Sequence, residues 1–208
     1  MWPVSNHPEP VLGSVDESTG MAGGTHGKGG GKIFPPWPPR PSKITFPNHP
    51  SICAMNYWLM KSEPEECSID MALAAPRKTV PWTGVRNYQA RNFMRDAMKV
   101  GDGVLFYHSS CAMPGIAGLA EVASAAYPDA TQFDKKSKYF DPASTKDKPR
   151  WVHVDVRAAH KTRLVPIAEL RAQAALTDMV ILKRGNRLSI TPVSAAEWRH
   201  VTTKLLKP

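Results

Sequence analysis

Proline and glycine are distributed so unevenly that only part of this chain can build a hydrophobic core. Residues 1–54 hold 10 of the 20 prolines and 8 of the 14 glycines in the 208-residue sequence. A segment of this composition cannot bury enough apolar surface to offset the entropy lost on ordering it. We therefore predict a disordered extension over residues 1–54 and one folded domain over residues 55–208. Met55 directly precedes the first apolar run, which makes it a candidate for the natural start of the protein.

Most of the positive charge lies in the predicted domain. The whole chain has a net charge of +9, and residues 55–208 contribute 23 Lys and Arg against 15 Asp and Glu. A basic domain of this kind favours a polyanionic partner such as nucleic acid.

Other sequence features restrict the compartment and the cofactors. No apolar run approaches the ~18 residues of a membrane helix, and the N-terminus lacks the pattern of a signal peptide. Cys53, Cys67 and Cys111 are odd in number and widely spaced, which is typical of free thiols in a reducing compartment. We therefore expect a monomeric cytoplasmic protein, nuclear if the source is eukaryotic, with no metal, no cofactor and no membrane partner.

Local patterns in residues 55–208 predict short strands and short helices in no regular alternation. The predicted strands cover residues 57–60, 104–109, 116–122, 151–157 and 187–191. The predicted helices cover residues 68–74, 88–98, 166–171 and 176–182, with a last helix after residue 194. Mixed elements without βαβ repeats favour an α+β fold, in which a small mixed β-barrel carries peripheral short helices.

Several of these elements have recognisable boundary signals. Ser68 and Asn87 are predicted N-caps, and Ser194 begins a predicted capping box with Glu197. Gly118 indicates a bulge or a close approach in its strand. In the strand 151–157, the valines are expected to point inward and the polar residues outward, and those polar residues are His153, Asp155 and Arg157.

The stretch from Trp82 to Ser109 contains the residue types that a base-binding protein needs. An aromatic ring, a glycine and three arginines come first, and a strand ending in polar side chains follows. Aromatic rings stack on bases, polar side chains bond to base edges, and arginines neutralise phosphates. Trp82 follows a proline in a polar loop with few apolar neighbours, so we expect one face of its ring to be open. Trp58 and Trp198, by contrast, are expected in the core.

The sequence resembles the EVE domain family in five segments that occur in the family's order. They are NYWLMKSEP at 56–64, WTGVRNYQARN at 82–92, FYHS at 106–109, YPD at 127–129 and RLS at 187–189. The resemblance implies a PUA-like barrel related to the YTH readers of methylated adenosine. It therefore implies a pocket that binds a modified base of DNA or RNA in an aromatic cage.

The resemblance also implies roles for individual residues. Trp82 would be the wall on which the base stacks, and Ser62 would bond to a base edge from the pocket floor. The residues expected at the mouth and rim are Tyr107, His108, Ser109, Arg86 and Asn87. The candidates for the second wall of the cage are Tyr139, Phe140 and Trp151, and the resemblance does not choose among them. Arg91, Arg95 and Lys61 are the predicted contacts to the phosphate backbone, and the alternative for the two arginines is a solvated helix face.

These patterns favour a non-catalytic nucleic-acid-binding module. One alternative is an RNA-acting enzyme in which Ser62, Tyr107 and His108 handle protons. His108 and Ser109 do not form a nucleophile and base, because adjacent strand residues point to opposite faces. Another alternative is a protein-interaction module that docks through the proline run 35–41.

Overall fold

The computed structural model describes residues 55–206, so the expectations for residues 1–54 lie outside the described part of the chain. The strands within it are β1 (Tyr57–Ser62), β2 (Thr79–Pro81), β3 (Gly103–His108), β4 (Gly115–Val122), β5 (Tyr127–Pro128), β6 (Val152–His153), β7 (Asp155–Pro166) and β8 (Ile190–Val193). The α-helices are α1 (Ile69–Ala74), α2 (Tyr88–Asn92), α3 (Ile167–Arg171) and α4 (Ala195–His200). None of the described helices is long and apolar enough to span a membrane.

Six strands form one mixed sheet in the order β2-β7-β4-β3-β1-β8. Only β1 and β3 are parallel neighbours in it, and the other neighbouring strands are antiparallel. β5 and β6 form a separate two-stranded ladder. The α+β class is therefore confirmed. Within residues 55–206 the sheet runs from β2 to β8 without a ladder that closes it into a barrel.

The sheet has a hydrophobic core on each face, because alternate residues of a strand point in opposite directions. On one face α1 and α2 pack against a first core, in which the sheet contributes Trp58, Met60, Val104, Phe106 and Val156. On the other face α3 and the C-terminal helical segment pack against a second core that contains Leu59, Leu105 and Tyr107. Trp58 is buried as predicted, and Trp198 stacks on Tyr57 at a centroid distance of 4.5 Å.

The boundary signals in the sequence are confirmed. Ser68 accepts a hydrogen bond from the Met71 amide at the start of α1. Ser194 and Glu197 form the predicted capping box at α4. The register of β4 shifts next to Gly118, where an added Cβ would lie 2.6 Å from the Ile69 side chain. Both interpretations of this glycine, as a bulge and as a close approach, are thus correct.

Other predicted elements are wrong in extent or kind. The predicted helix 176–182 is instead two separate 3₁₀ turns, Ala174–Leu176 and Val180–Leu182. The last strand lies at 190–193 rather than at 187–191. β7 continues to Pro166, well past the predicted end at residue 157, because β4 pairs with it along this added length. His153, expected on the outer face, is only 4% exposed.

Asp102 joins the beginnings of β1 and β3. Its buried carboxylate accepts hydrogen bonds from the Trp58 indole at 2.9 Å, the Asn56 amide at 3.1 Å and the Lys99 amide at 3.0 Å. Trp58 is one of the larger side chains of the first core. The position of this core tryptophan is thus fixed through the first residues of two parallel strands.

We predict that Asp102→Ala lowers the free energy of unfolding by about 3 kcal/mol, because three donors lose a charged acceptor in a buried place. Asp102→Asn retains one acceptor oxygen and should lose less. Urea titration followed by tryptophan fluorescence measures both. Asp147→Ala, at an exposed carboxylate, is the matched control and should change stability by less than about 0.5 kcal/mol.

His153 is a buried titratable group beside two acidic side chains. Neither of its ring nitrogens has a hydrogen-bond partner within residues 55–206. Its Nδ1 lies 4.0 Å from an oxygen of Asp129, and the Tyr127 ring packs edge-on against it. Burial lowers the pKa of His153 below its ordinary value, although the charges of Asp129 and Asp155 oppose this shift.

The lowered pKa predicts that the domain loses stability as the pH falls below about 6.5, where an unfolded histidine gains a proton. Between that pH and the folded pKa the unfolded state binds more protons, so this single site contributes a slope of up to about 1.4 kcal/mol per pH unit. Urea titrations between pH 5 and 8 should show a smaller slope for His153→Gln. His160→Gln, at an exposed position on β7, should keep the wild-type slope. An unchanged slope in His153→Gln would show that His153 is not the titrating group.

Candidate functional site

The parallel pairing of β1 and β3 brings Ser62 and His108 together. They are cross-strand partners in the register, and each is the last residue of its strand. Partners in a ladder share a face of the sheet, so both lie on the face of Phe106 and the first core. The Phe106 and His108 rings meet edge to face, with centroids 5.8 Å apart. Two polar side chains predicted for the pocket are thus adjacent.

The hydrogen bonds of Ser62 and His108 determine what each can offer to a ligand. The Ser62 hydroxyl donates its proton to the Cys67 carbonyl at 2.7 Å, which leaves its lone pairs as acceptors. His108 Nε2 accepts from the Ile69 amide at 3.1 Å, so the neutral ring carries its proton on Nδ1. Burial lowers the pKa of His108, with the Asp70 charge opposing and the Lys161 charge assisting that shift. The pair therefore presents one acceptor and one donor.

Trp82 lies directly after β2, with its backbone amide bonded to the Val154 carbonyl at 2.9 Å. Its ring meets the Phe106 ring edge to face, with centroids 5.1 Å apart. The side chain is only 5% exposed and belongs to the first core. The expectation that this ring has few core partners and one open face is therefore wrong. Its neighbour Phe106 also touches His108, so Trp82 lies near the polar pair.

Tyr107 and Ser109 do not join Ser62 and His108 in the predicted way. Tyr107 is 2% exposed and lies in the second core, on the opposite face of the sheet. Burial is the main cause that raises the pKa of its phenol. Ser109 follows the end of β3, where its amide and its hydroxyl both donate to the Ser62 carbonyl. Ser109 therefore holds the end of β1, and Tyr107 stabilises the other face.

Arg86 is fully engaged by the protein. Its guanidinium donates to the carbonyls of Tyr139 and Val85, to the Thr131 hydroxyl and to Asp129, whose oxygen lies 2.8 Å away. The guanidinium carbon also lies over two rings, 5.4 Å from the centroid of Tyr139 and 5.5 Å from that of Trp151. With these partners Arg86 acts as a structural clamp at the predicted rim.

Asp129 is the buried counterpart of Arg86. It also accepts from the Gly84 amide at 3.0 Å and caps its own 3₁₀ turn through Thr131. Burial alone would raise the pKa of Asp129, but hydrogen bonds from Thr131, Arg86 and Gly84 outweigh it and lower the pKa. The loop 82–87 is thereby tied to the segment 129–139 through a carboxylate that stays ionised.

Tyr139 closes this arrangement over Gly84. Gly84 has a φ of +82°, and a Cβ there would lie 2.6 Å from the tyrosine ring. The Tyr139 hydroxyl donates to Glu66 at 2.7 Å, and Lys138 also pairs with that carboxylate. Tyr139 thus touches the chain two residues after Trp82 and joins it to the loop that follows β1.

Trp151 and Asn87 are held by other contacts. The Trp151 indole donates to Asp141 at 2.7 Å, and its ring stacks on Tyr88. Asn87 caps α2, as predicted, by accepting from the amides of Gln89 and Ala90. Its side-chain oxygen is thereby used in the helix.

The predicted phosphate contacts lie in three different environments. Arg91 bonds to Asn92 and to the Arg150 carbonyl, and it lies over the Tyr88 ring. Arg95 is paired with Asp96 at 2.7 Å, which favours the alternative of a solvated helix face. Lys61 is the cross-strand partner of Tyr107 and shares its face of the sheet, away from Ser62. Burial lowers the pKa of Lys61.

Three residues near the site had no predicted role, namely Gly84, Tyr88 and Asp129. Gly84 and Tyr88 lie within the WTGVRNYQARN segment, and Asp129 lies within YPD. Their positions in these family segments are the sequence signal that could have identified them. Gly84 contacts Asp129 and Tyr139, and Tyr88 contacts Trp151, and each of these pairs is 45 or more positions apart in the sequence. Among residues 55–206 no group of three His, Cys, Asp or Glu side chains could hold a metal ion, and Cys67 and Cys111 are free thiols.

Comparisons with known proteins identify the family of this chain. The EVE domain family matches residues 56–204. Thymocyte nuclear protein 1 from Homo sapiens is 44% identical over 164 residues, which cover 70% of this chain and 72% of the relative. A hypothetical protein from Leishmania major has 49% identity and a TM-score of 0.67, with coverage of 71% of this chain and 92% of that one.

A second solved structure shows a relative with its ligand. It is human THYN1 protein in complex with 5-methylcytosine containing DNA. Its TM-score is 0.68 at 44% identity, and the alignment covers 74% of this chain and 99% of that chain. The match of the family over most of the chain and these identities lead to one conclusion: this protein belongs to the EVE domain family.

Proposed function

We propose that this protein is a non-catalytic module that binds a modified base of DNA, with a modified cytosine as the first candidate. The observation that carries the proposal is the human relative in complex with 5-methylcytosine containing DNA. At 44% identity over nearly all of that chain, the two proteins share one fold. The basic composition of residues 55–208 suits a polyanionic partner. The compartment stays a prediction.

The geometry around Ser62 supports this proposal. Ser62 offers lone pairs that accept hydrogen bonds, and His108 offers an N–H that donates one. This pair suits a base edge that presents one donor and one acceptor. Trp82 stays the proposed stacking wall, and because its side chain is only 5% exposed, a side chain that covers the ring has to move when the base enters. Tyr139 is the better proposal for the second wall, because it lies against Gly84, two residues from Trp82, whereas the Trp151 ring stacks on Tyr88.

The same contacts favour binding over catalysis. The Ser62 hydroxyl donates to a carbonyl rather than to His108, and His108 Nε2 is occupied by an amide. A serine nucleophile needs its proton directed at a base, which these bonds do not provide. The enzyme hypothesis therefore has no supporting observation at this pair of residues.

Fluorescence anisotropy with single-stranded oligonucleotides tests the proposed function. The oligonucleotides carry one central cytosine, 5-methylcytosine or another modified base in an otherwise identical sequence. We expect tighter binding to at least one modified form. Equal affinity for all forms would overturn the proposal, and turnover of a modified oligonucleotide would restore the enzyme alternative.

Substitutions at Trp82 must take its burial into account. Because the ring is in the core, Trp82→Ala should lower the free energy of unfolding by about 3–5 kcal/mol, contrary to the expectation from its polar surroundings. Trp82→Phe retains a ring and should leave the domain folded. If Trp82 is the stacking wall, Trp82→Phe should weaken binding of the modified oligonucleotide by about 3- to 10-fold, a part of one base–aromatic stack.

Trp58→Phe is the matched control for Trp82→Phe. Trp58 is a buried tryptophan of the same core, but it lies about 13 Å along β1 from Ser62. Both variants should lower the melting temperature, and only Trp82→Phe should lower the affinity. Equal affinities in the two variants would assign Trp82 to the core alone.

Binding should also depend on salt. Each phosphate contact with a single strand contributes about −0.7 to the slope of log affinity against log salt concentration. Arg86 and Arg95 are already paired with carboxylates, so Arg91 and one or two lysines are the expected contacts, and we predict a slope of about −2. Anisotropy titrations between 50 and 200 mM salt measure it. A slope near zero would contradict a polyanionic partner.

A further inference from the structure

Tyr88 is an exposed aromatic residue next to the proposed base site. It is 51% exposed although it belongs to the first turn of α2. One face of its ring stacks on Trp151, with centroids 4.9 Å apart and an angle of 29° between the planes. A ring that is fixed on one side and exposed to this extent offers a flat apolar surface to a ligand.

The position of Arg91 shows which part of the ring is exposed. Its guanidinium carbon lies 4.7 Å from the Tyr88 centroid and 5.8 Å from the Trp151 centroid. A group on the face of Tyr88 opposite to Trp151 would lie much farther from the Trp151 centroid than the 5.8 Å observed for Arg91. Arg91 therefore lies over Tyr88 on the side nearer to Trp151. The second face of Tyr88 is covered by neither of these neighbours.

Tyr88 is the outer end of a continuous row of stacked groups. The row runs from Tyr139 through Arg86 and Trp151 to Tyr88, with successive separations of 5.4, 5.5 and 4.9 Å. Its inner end lies against Gly84, two residues from Trp82. Nucleotides in a strand follow one another at about 3.4 Å or more, so a bound strand could reach from one end of the row to the other within about five nucleotides.

Arg91 adds a positive charge, suited to a phosphate, at the Tyr88 end of the row. It donates to the Asn92 side chain and to the Arg150 carbonyl, both of which are uncharged acceptors. In the described part of the chain it forms no ion pair with a carboxylate, unlike Arg86 and Arg95. An arginine beside an open aromatic face is the combination that single-strand-binding proteins use for a base and its phosphate.

We propose that the open face of Tyr88 is a second stacking site, which holds an unpaired base flanking the base in the pocket, while Arg91 contacts the phosphate of that nucleotide. This inference rests on the proposed function, because it assumes that a nucleic-acid strand is the ligand. A base is favoured over an apolar peptide because the flat ring occurs together with a cation that forms no ion pair within residues 55–206. The Tyr88 site gives affinity for the strand, and the pocket gives preference for the modified base.

The test compares two ligands that differ only in the presence of flanking nucleotides. One is a single-stranded 11-mer with a central 5-methylcytosine, and the other is the isolated 5-methylcytosine nucleoside. Tyr88→Ala should weaken 11-mer binding by about 5- to 100-fold, the usual effect of removing one base–aromatic stack. Nucleoside binding, followed by NMR titration, should not change. Tyr88→Phe should bind the 11-mer as the wild type does.

Matched controls come from the opposite layer of the domain. Tyr57 also stacks on a tryptophan, Trp198, so Tyr57→Ala removes a similar ring without touching the proposed site. Arg199 is an exposed arginine on α4, and Arg199→Gln is the control for Arg91→Gln. Both control variants should keep the wild-type affinity for the 11-mer. Arg91→Gln should reduce the salt slope by about 0.7.

The outcomes separate this inference from the proposed function. Unchanged 11-mer affinity in Tyr88→Ala would overturn the second stacking site and leave the modified-base pocket in place. A loss of nucleoside binding equal to the loss of 11-mer binding would also overturn it, because Tyr88 would then act through the pocket. If the wild type does not prefer modified bases, the proposed function fails. The effect of Tyr88→Ala on an unmodified 11-mer still tests the stacking site.

Discussion

The parallel pairing of β1 with β3 determines where the polar groups of this domain lie. Parallel strands end at the same edge of a sheet, so Ser62 and His108 are neighbours although 46 positions separate them in the sequence. The same pairing places Trp58 beside Asp102 at the opposite edge. The strand period of two then assigns each residue to one of the two cores. One edge of the sheet is thus fixed by a buried carboxylate, and the other carries the proposed base site.

Arg86 and Asp129 hold the irregular chain around that second edge. A buried ion pair contributes little net stability unless further hydrogen bonds satisfy both groups, and here every N–H of the guanidinium has an acceptor. Its value is geometric, because the pair fixes the loop that carries Trp82 and Gly84 against Tyr139. A binding site made from loops needs such supports to keep a shape before the ligand arrives.

The sequence predicts the features of this domain that depend on near neighbours. The caps at Ser68 and Asn87 and the capping box at Ser194 each follow from residues within three positions, and all three are confirmed. His153 and Trp82 were placed incorrectly, because their burial depends on strands and turns that lie far away in the sequence. Sequence patterns do not predict the ion pair between Arg86 and Asp129 for the same reason. Residue patterns alone favoured a small mixed barrel and a base-binding protein, and the family resemblance added the PUA-like fold and the expectation that the base is modified.

Gly84 limits how the recognition properties of this domain can be altered by design. Its backbone conformation is unfavourable for other residues, and an added Cβ would lie 2.6 Å from the Tyr139 ring. A side chain at position 84 therefore cannot be introduced to reshape the site unless Tyr139 is made smaller in the same variant. Attempts to engineer a different base preference should begin from Tyr139, whose truncation opens space without straining the main chain, and vary Ser62 and His108 afterwards.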